Sequence, residues 1–165
     1  MKFVYAGAAV VTVVALVLLK NGCTVARPFS GPGLSALSDS DTAPDTVIVA
    51  LTHAVVDTAI RGDFDDHTMR VAEALDGFDG FIGYSIRKEL LGDEAWTMTV
   101  WADRDALDRF VESPIHQRAI AAGESALRQA RFHTFEVAAT EIPLSWDRAL
   151  AILDENQPRD PVPDL

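Results

Sequence analysis

Residues 46 to 56, TVIVALTHAVV, are apolar at odd and even positions alike, the pattern of a β-strand buried on both faces. Arg61-Gly62-Asp63 interrupts it. Phe64, Val71, Ala72 and Leu75 then recur at near-helical spacing among Asp65, Asp66, Arg70, Glu73 and Asp76. This predicts an amphipathic helix over 64–76, with Asp63 as its N-cap and Gly77 as its stop. Residues 80 to 90, GFIGYSIRKEL, read as a second strand, Leu91 to Glu94 as a hairpin turn, and residues 95 to 102, AWTMTVWA, as a third strand. Alternation puts Trp96, Met98 and Val100 on one face of that strand and Thr97, Thr99 and Trp101 on the other. Asp103 caps a helix with the stripe Ala106, Leu107, Phe110 and Val111, and Ser113-Pro114 restarts it as an N-cap with proline at N1. Ile115, Ala119, Ala122, Ala126 and Leu127 continue the stripe. Residues 131 to 139, RFHTFEVAA, form a fourth strand, and Ser145 caps a last short helix, Trp146 to Leu153.

The order β-α-β-β-α-α-β predicts an α+β domain over 46–142, a ferredoxin-like βαββαβ antiparallel sheet with helices on one face. The other face would be an apolar patch larger than a monomer tolerates, because the first strand is apolar on both parities and the fourth adds Phe132, Phe135 and Val137. Shielding it gains about 1.5 to 3 kcal/mol per side chain, which predicts a homodimer with the two sheets face to face.

The flanks differ from this domain. Residues 3 to 19, FVYAGAAVVTVVALVLL, carry no charge and lie between Lys2 and Lys20. As a helix they would be about 26 Å long, just short of a bilayer's hydrocarbon core. Residues 1–26 are therefore expected to be an N-terminal apolar helix acting as a single-pass membrane anchor. The alternatives are export after signal cleavage at Thr24-Val25-Ala26 and a lipoprotein signal at Cys23. Residues 27–45, RPFSGPGLSALSDSDTAPD, lack apolar periodicity and read as a flexible linker. Residues 143–165 read as the short helix and a Pro-rich tail.

The 165 residues carry 14 basic and 25 acidic side chains, a formal net charge of −11. Every acidic side chain follows residue 38, so the part outside the apolar run repels phosphate backbones and a nucleic-acid partner is not expected. The single cysteine, Cys23, excludes an intrachain disulfide and a cysteine-based zinc cluster. The spacings of His53, His67, His116 and His133 hold no metal motif, so no metal site is expected.

The element order and the segment WTMTVWADRDALDRFVESPIHQRAI resemble the antibiotic biosynthesis monooxygenase (ABM) superfamily over roughly residues 46–140. The matching positions are Trp101 at the end of the third strand, then Leu107, Phe110, Ser113 and His116. The resemblance implies a dimeric α+β barrel. It also implies membership among cofactor-independent oxygenases of polyketide quinols, haem-degrading enzymes and proteins without established activity. Trp101 matches a tryptophan near the pocket of several members, and His116 a position where histidine is common. The haem-degrading branch carries a histidine where this chain has Val111 and an asparagine in the first strand, where His53 is the nearest polar group.

Candidate chemistry follows from polar groups in apolar strands. His53 lies mid-strand, where a buried imidazole needs a partner and can act as a base; its bland alternative is a satisfied core histidine. Tyr84 can donate to a ligand carbonyl and Arg87 can pair an anionic oxygen, or simply form an ion pair with helix acids. His53, Tyr84 and Arg87 are the expected catalytic set, with Trp101, His116 and His133 as substrate-binding candidates. No cofactor is expected, because the substrate anion can react directly with oxygen in a dry apolar pocket holding a donor and a base. The expected activity is that of a membrane-tethered monooxygenase of a small apolar phenol or quinol. A non-catalytic dimeric module binding a small apolar ligand beside the membrane is the alternative, and haem binding a third.

Overall fold

The computed structural model describes residues 23–38 and 43–155. The apolar run 3–19 lies outside them; among the described residues no helix is long and apolar enough to cross a membrane. Five antiparallel strands are observed: β1 (Thr24–Ala26), β2 (Thr46–Val56), β3 (Phe81–Glu89), β4 (Glu94–Trp101) and β5 (Leu127–Ala138). They lie in the order β1-β3-β4-β2-β5. The helices are α1 (Arg61–Ala74), α2 (Arg104–Val111), α3 (Pro114–Gly123) and α4 (Trp146–Glu155). The ferredoxin-like core of the sequence reading is therefore present, with one strand and one packed helix added.

The expected strand 46–56 is observed over the same residues. Asp103 and Ser113 cap α2 and α3 through their side chains, accepting from the Ala106 and His116 amides. Two boundaries differ by three residues or more. α1 begins at Arg61, three residues early, so Asp63 lies in its first turn and is not the cap; Asp57 instead caps a preceding 3-10 turn through the Ala59 amide. β5 begins at Leu127 rather than at 131, because an edge strand tolerates the exposed polar positions Arg128 and Gln129.

The main corrections concern the second face of the sheet. On the first face, Trp101, Phe81, Leu75, Ala106, Leu107 and Phe110 form one core against α2, with Ile48 and Ala50 from β2. On the opposite face, Val47, Val49, Leu51, Met98, Val100 and Val137 form a second core. That core is closed by the chain's own ends: Leu144, Ala149, Trp146 and Leu153 from one side, Phe29 and Leu37 from the other. Helices thus cover both faces, and 143–155 is core rather than an appendage. The described N-terminal part of the expected linker is also not a tether. Arg27 donates to the Ile86 carbonyl, and Ser30 and Tyr84 exchange backbone hydrogen bonds of 3.0 and 2.8 Å. The glycines that suggested flexibility serve close packing here: a Cβ on Gly31 would lie 2.2 Å from the Gly83 Cα, and one on Gly83 would lie 2.6 Å from the Phe29 ring.

Ser85 joins the two ends. It is only 2 % exposed; its hydroxyl donates to the Arg27 carbonyl at 2.6 Å and accepts from the Trp146 indole N–H at 2.8 Å. Ser85→Ala removes both of these part-buried hydrogen bonds, so unfolding free energy should fall by about 1 to 3 kcal/mol. Chemical denaturation followed by far-UV circular dichroism measures this.

Candidate functional site

Burial along β2 changes parity. Val47, Val49 and Leu51 are buried beneath α4 and Phe29, whereas further along it is Ala54 and Val56 that are buried, against Ile60, Phe64 and Ala126. The change falls at His53. From there on, the second face is only partly covered, and strand register places His53 opposite Trp96 on β4, Trp96 opposite Arg87 on β3, and His53 opposite Arg131 on β5. Cross-strand neighbours share a face, so these side chains form one row.

The row is a stack. The His53 and Trp96 rings lie 5.0 Å apart at 6°, and the Arg87 guanidinium carbon lies 5.6 Å from the Trp96 ring. His53 Nε2 meets Glu94 Oε2 at 2.8 Å. Glu94 lies two residues before Trp96 and so on the same face. A carboxylate at this nitrogen holds the proton there, and that assigned tautomer leaves Nδ1 as a free acceptor. Arg87 forms no ion pair among the described residues, and its Nε is buried without a hydrogen-bond partner. The arrangement therefore places a carboxylate-held imidazole and an uncommitted guanidinium on either side of one indole. Two strand spacings separate their backbones, roughly 10 Å. His133 belongs to the next row, opposite Leu51, with its ring 5.5 Å from Phe135.

The remaining candidates lie elsewhere. Tyr84 pairs with Thr99 and packs with the Trp101 cluster, on the opposite side of the sheet from His53 and Arg87. Trp101 is completely buried, donates its indole N–H to Thr99 Oγ1 at 2.9 Å, and is surrounded by the rings of Phe78, Phe81 and Phe110. The space between sheet and helices at this point is filled by aromatic side chains. His116 leans on Phe110 at 4.6 Å, and its Nδ1 contacts the Val111 carbonyl at 3.0 Å. Of the expected catalytic set, the structure brings His53 and Arg87 to one face and Tyr84 to the other, in keeping with the alternation of β3; Glu94, assigned to the turn by the sequence reading, joins the first two.

Residues 48–122 match the family model described as antibiotic biosynthesis monooxygenase. Over that span the chain is similar to antibiotic biosynthesis monooxygenase domains. Solved structures agree on the fold. A candidate monooxygenase from Lactobacillus acidophilus is 16 % identical with a TM-score of 0.51, covering 59 % of this chain and 49 % of that one, so this chain spans about half its length. A conserved protein from Methanosarcina mazei is 16 % identical with a TM-score of 0.52, covering 55 % of this chain and 92 % of that one. A candidate antibiotic biosynthesis monooxygenase from Nitrosomonas europaea is 12 % identical with a TM-score of 0.51, covering 53 % and 95 % respectively. No curated protein matches the chain. β1, β5 and α4 lie outside the span matched to the ABM model. At the position where the haem-degrading branch carries a histidine this chain has Val111, which offers no ligand atom to haem iron.

The aromatic cluster around Trp101 is expected to be structural. Phe110→Ala, which empties its centre, should cost about 3 to 5 kcal/mol of stability. Thermal denaturation measures this, and the near-UV circular dichroism of the folded variant should lose intensity.

Proposed function

We propose that this protein is a cofactor-independent monooxygenase of the ABM type, acting on a small apolar phenol or quinol at the His53–Trp96–Arg87 surface. The observation that carries the reading is Arg87: a cation with a buried, unpartnered Nε, held on the same indole as a carboxylate-bound imidazole. His53 Nδ1 takes a proton from the substrate as general base, and Glu94 stabilises the imidazolium that forms. Arg87 stabilises the resulting phenolate oxygen. The electron-rich anion then reduces dioxygen. For an anthrone, the methylene carbon loses both hydrogens and becomes a ketone; one oxygen atom enters that carbonyl and the other leaves as water. The substrate supplies all the electrons, so the balance closes without a further reductant.

This reading also assigns roles to assembly and location. The uncovered half of the second face is the surface for a second copy, which would exclude water from the His53 row and turn an open surface into a dry pocket. The charge-free run 3–19 anchors the chain in a membrane, which suits a lipophilic substrate.

Two measurements test the proposal. With an anthrone or hydroquinone, the full chain in mild detergent should consume dioxygen stoichiometrically with product. His53→Ala and Arg87→Ala should each lower kcat/KM by about 10²- to 10⁴-fold, while Tyr84→Phe leaves it within a few-fold. Ligand-induced thermal stabilisation without product would instead establish the binding-module reading. Light scattering corrected for detergent should give twice the chain mass of 17.9 kDa; a single-chain mass at micromolar concentration would remove the shared pocket.

A further inference from the structure

The tip of the β3–β4 hairpin carries two leucines in water: Leu90 is 53 % exposed and Leu91 is 95 % exposed. The tip is braced, not slack. Arg61 of α1 donates to the Gly92 carbonyl at 2.8 Å and to the Glu94 carbonyl at 3.2 Å, and Lys88 pairs with Asp65. Holding two adjacent leucines outward on a supported turn has no packing benefit within the described chain.

The position of this tip is informative. The Leu90 amide donates to the Cys23 carbonyl at 2.8 Å, and Thr24 pairs with Glu89. The described chain therefore begins at the hairpin tip. The charge-free run ends at Leu19, four residues before Cys23, a reach of at most about 14 Å at 3.3–3.6 Å per residue. Since 24–30 are fastened to β3, the apolar run joins the domain beside these leucines with no long linker between them.

We propose that Leu90 and Leu91 seat the domain on a lipid bilayer, inserting at the interface beside the point where residues 3–19 enter it. The inference rests on reading residues 3–19 as a membrane segment. Charge favours apolar insertion over headgroup attraction: Glu89, Asp93 and Glu94 surround the tip, Asp93 is neutralised by Arg128 at 3.0 Å, and Lys88 is already paired. The proposed occupant is therefore a zwitterionic lipid surface. An open cleft of about 360 Å³, lined by Thr58, Arg61, Lys88 and Leu90 to Gly92, lies at this end of the sheet. The His53–Trp96–Arg87 row is one row in from the pair Glu89–Glu94 flanking the turn, so the seated domain presents its candidate site near the bilayer.

The test uses the full chain in phosphatidylcholine vesicles. In a Cys23→Ser background, Leu91→Cys carries an environment-sensitive fluorophore, and Phe132→Cys, a residue 71 % exposed on β5, carries the same label as control. The label at 91 should be quenched several-fold more than that at 132 by lipids bearing a spin label on the acyl chain, and several-fold less by aqueous iodide. If the chain floats with the vesicles but both labels behave alike, seating by the hairpin is overturned while anchoring stands. If the chain does not float with the vesicles, anchoring and seating both fall.

Discussion

Ser85 decides which parts of the molecule are wet. Its buried hydroxyl is the meeting point of Arg27 from the N-terminal segment and Trp146 from α4. With these contacts in place, Val47, Val49, Leu51, Met98 and Val100 are roofed by the chain's own ends. A four-stranded layer that is apolar on both sides needs a second cover. Among the described residues the cover is intramolecular over one half of the face, and the other half is only partly covered. The boundary falls between Leu51 and His53, where β2 turns from aliphatic to polar on that side.

The aliphatic pattern of β2 made the need for that cover legible, but not its source. Both-parity apolarity says that two faces are buried; it does not distinguish a second copy from a helix ninety residues further on. Trp146 and Ala149 carry no sequence mark that ties them to Met98 or Val49. The segment before β2 was obscured by a different effect. Gly31 and Gly33 are the residues of a loop when read locally, yet both approach the backbone of β3 so closely that any Cβ would collide. Glycine required for contact and glycine present for flexibility look alike until the partner strand is known.

The candidate site shows the reverse pattern. His53 stands out because an imidazole in an aliphatic strand must be satisfied, and Glu94 satisfies it. Strict alternation places Arg87 with Ser85 and away from Tyr84, which would have separated the two faces from sequence alone. Glu94 was concealed by its position at the end of the hairpin, where an acidic residue has an ordinary explanation as a turn residue. Its register two residues before Trp96 is the signal that it faces His53.

The energetics of the row bear on whether it is structural or functional. A buried guanidinium nitrogen without an acceptor is unfavourable by about 1 to 3 kcal/mol, and a cation over a half-buried indole returns about 0.5 to 2 kcal/mol. Stability alone would favour an aliphatic side chain at position 87, as the chain has at Leu51 and Val49 on the same face. The helix-side face shows what such optimisation produces: Trp101 is fully buried, its N–H is bonded to Thr99, and four aromatic rings fill the space. One face of the sheet is thus complete, and the other retains a charged donor without an acceptor next to an imidazole with a free nitrogen. A substrate lying along Trp96 that gives a proton to His53 Nδ1 at one end and sets an oxygen against Arg87 at the other would satisfy both deficits, which ties the incompleteness of this half-face to the chemistry proposed for it.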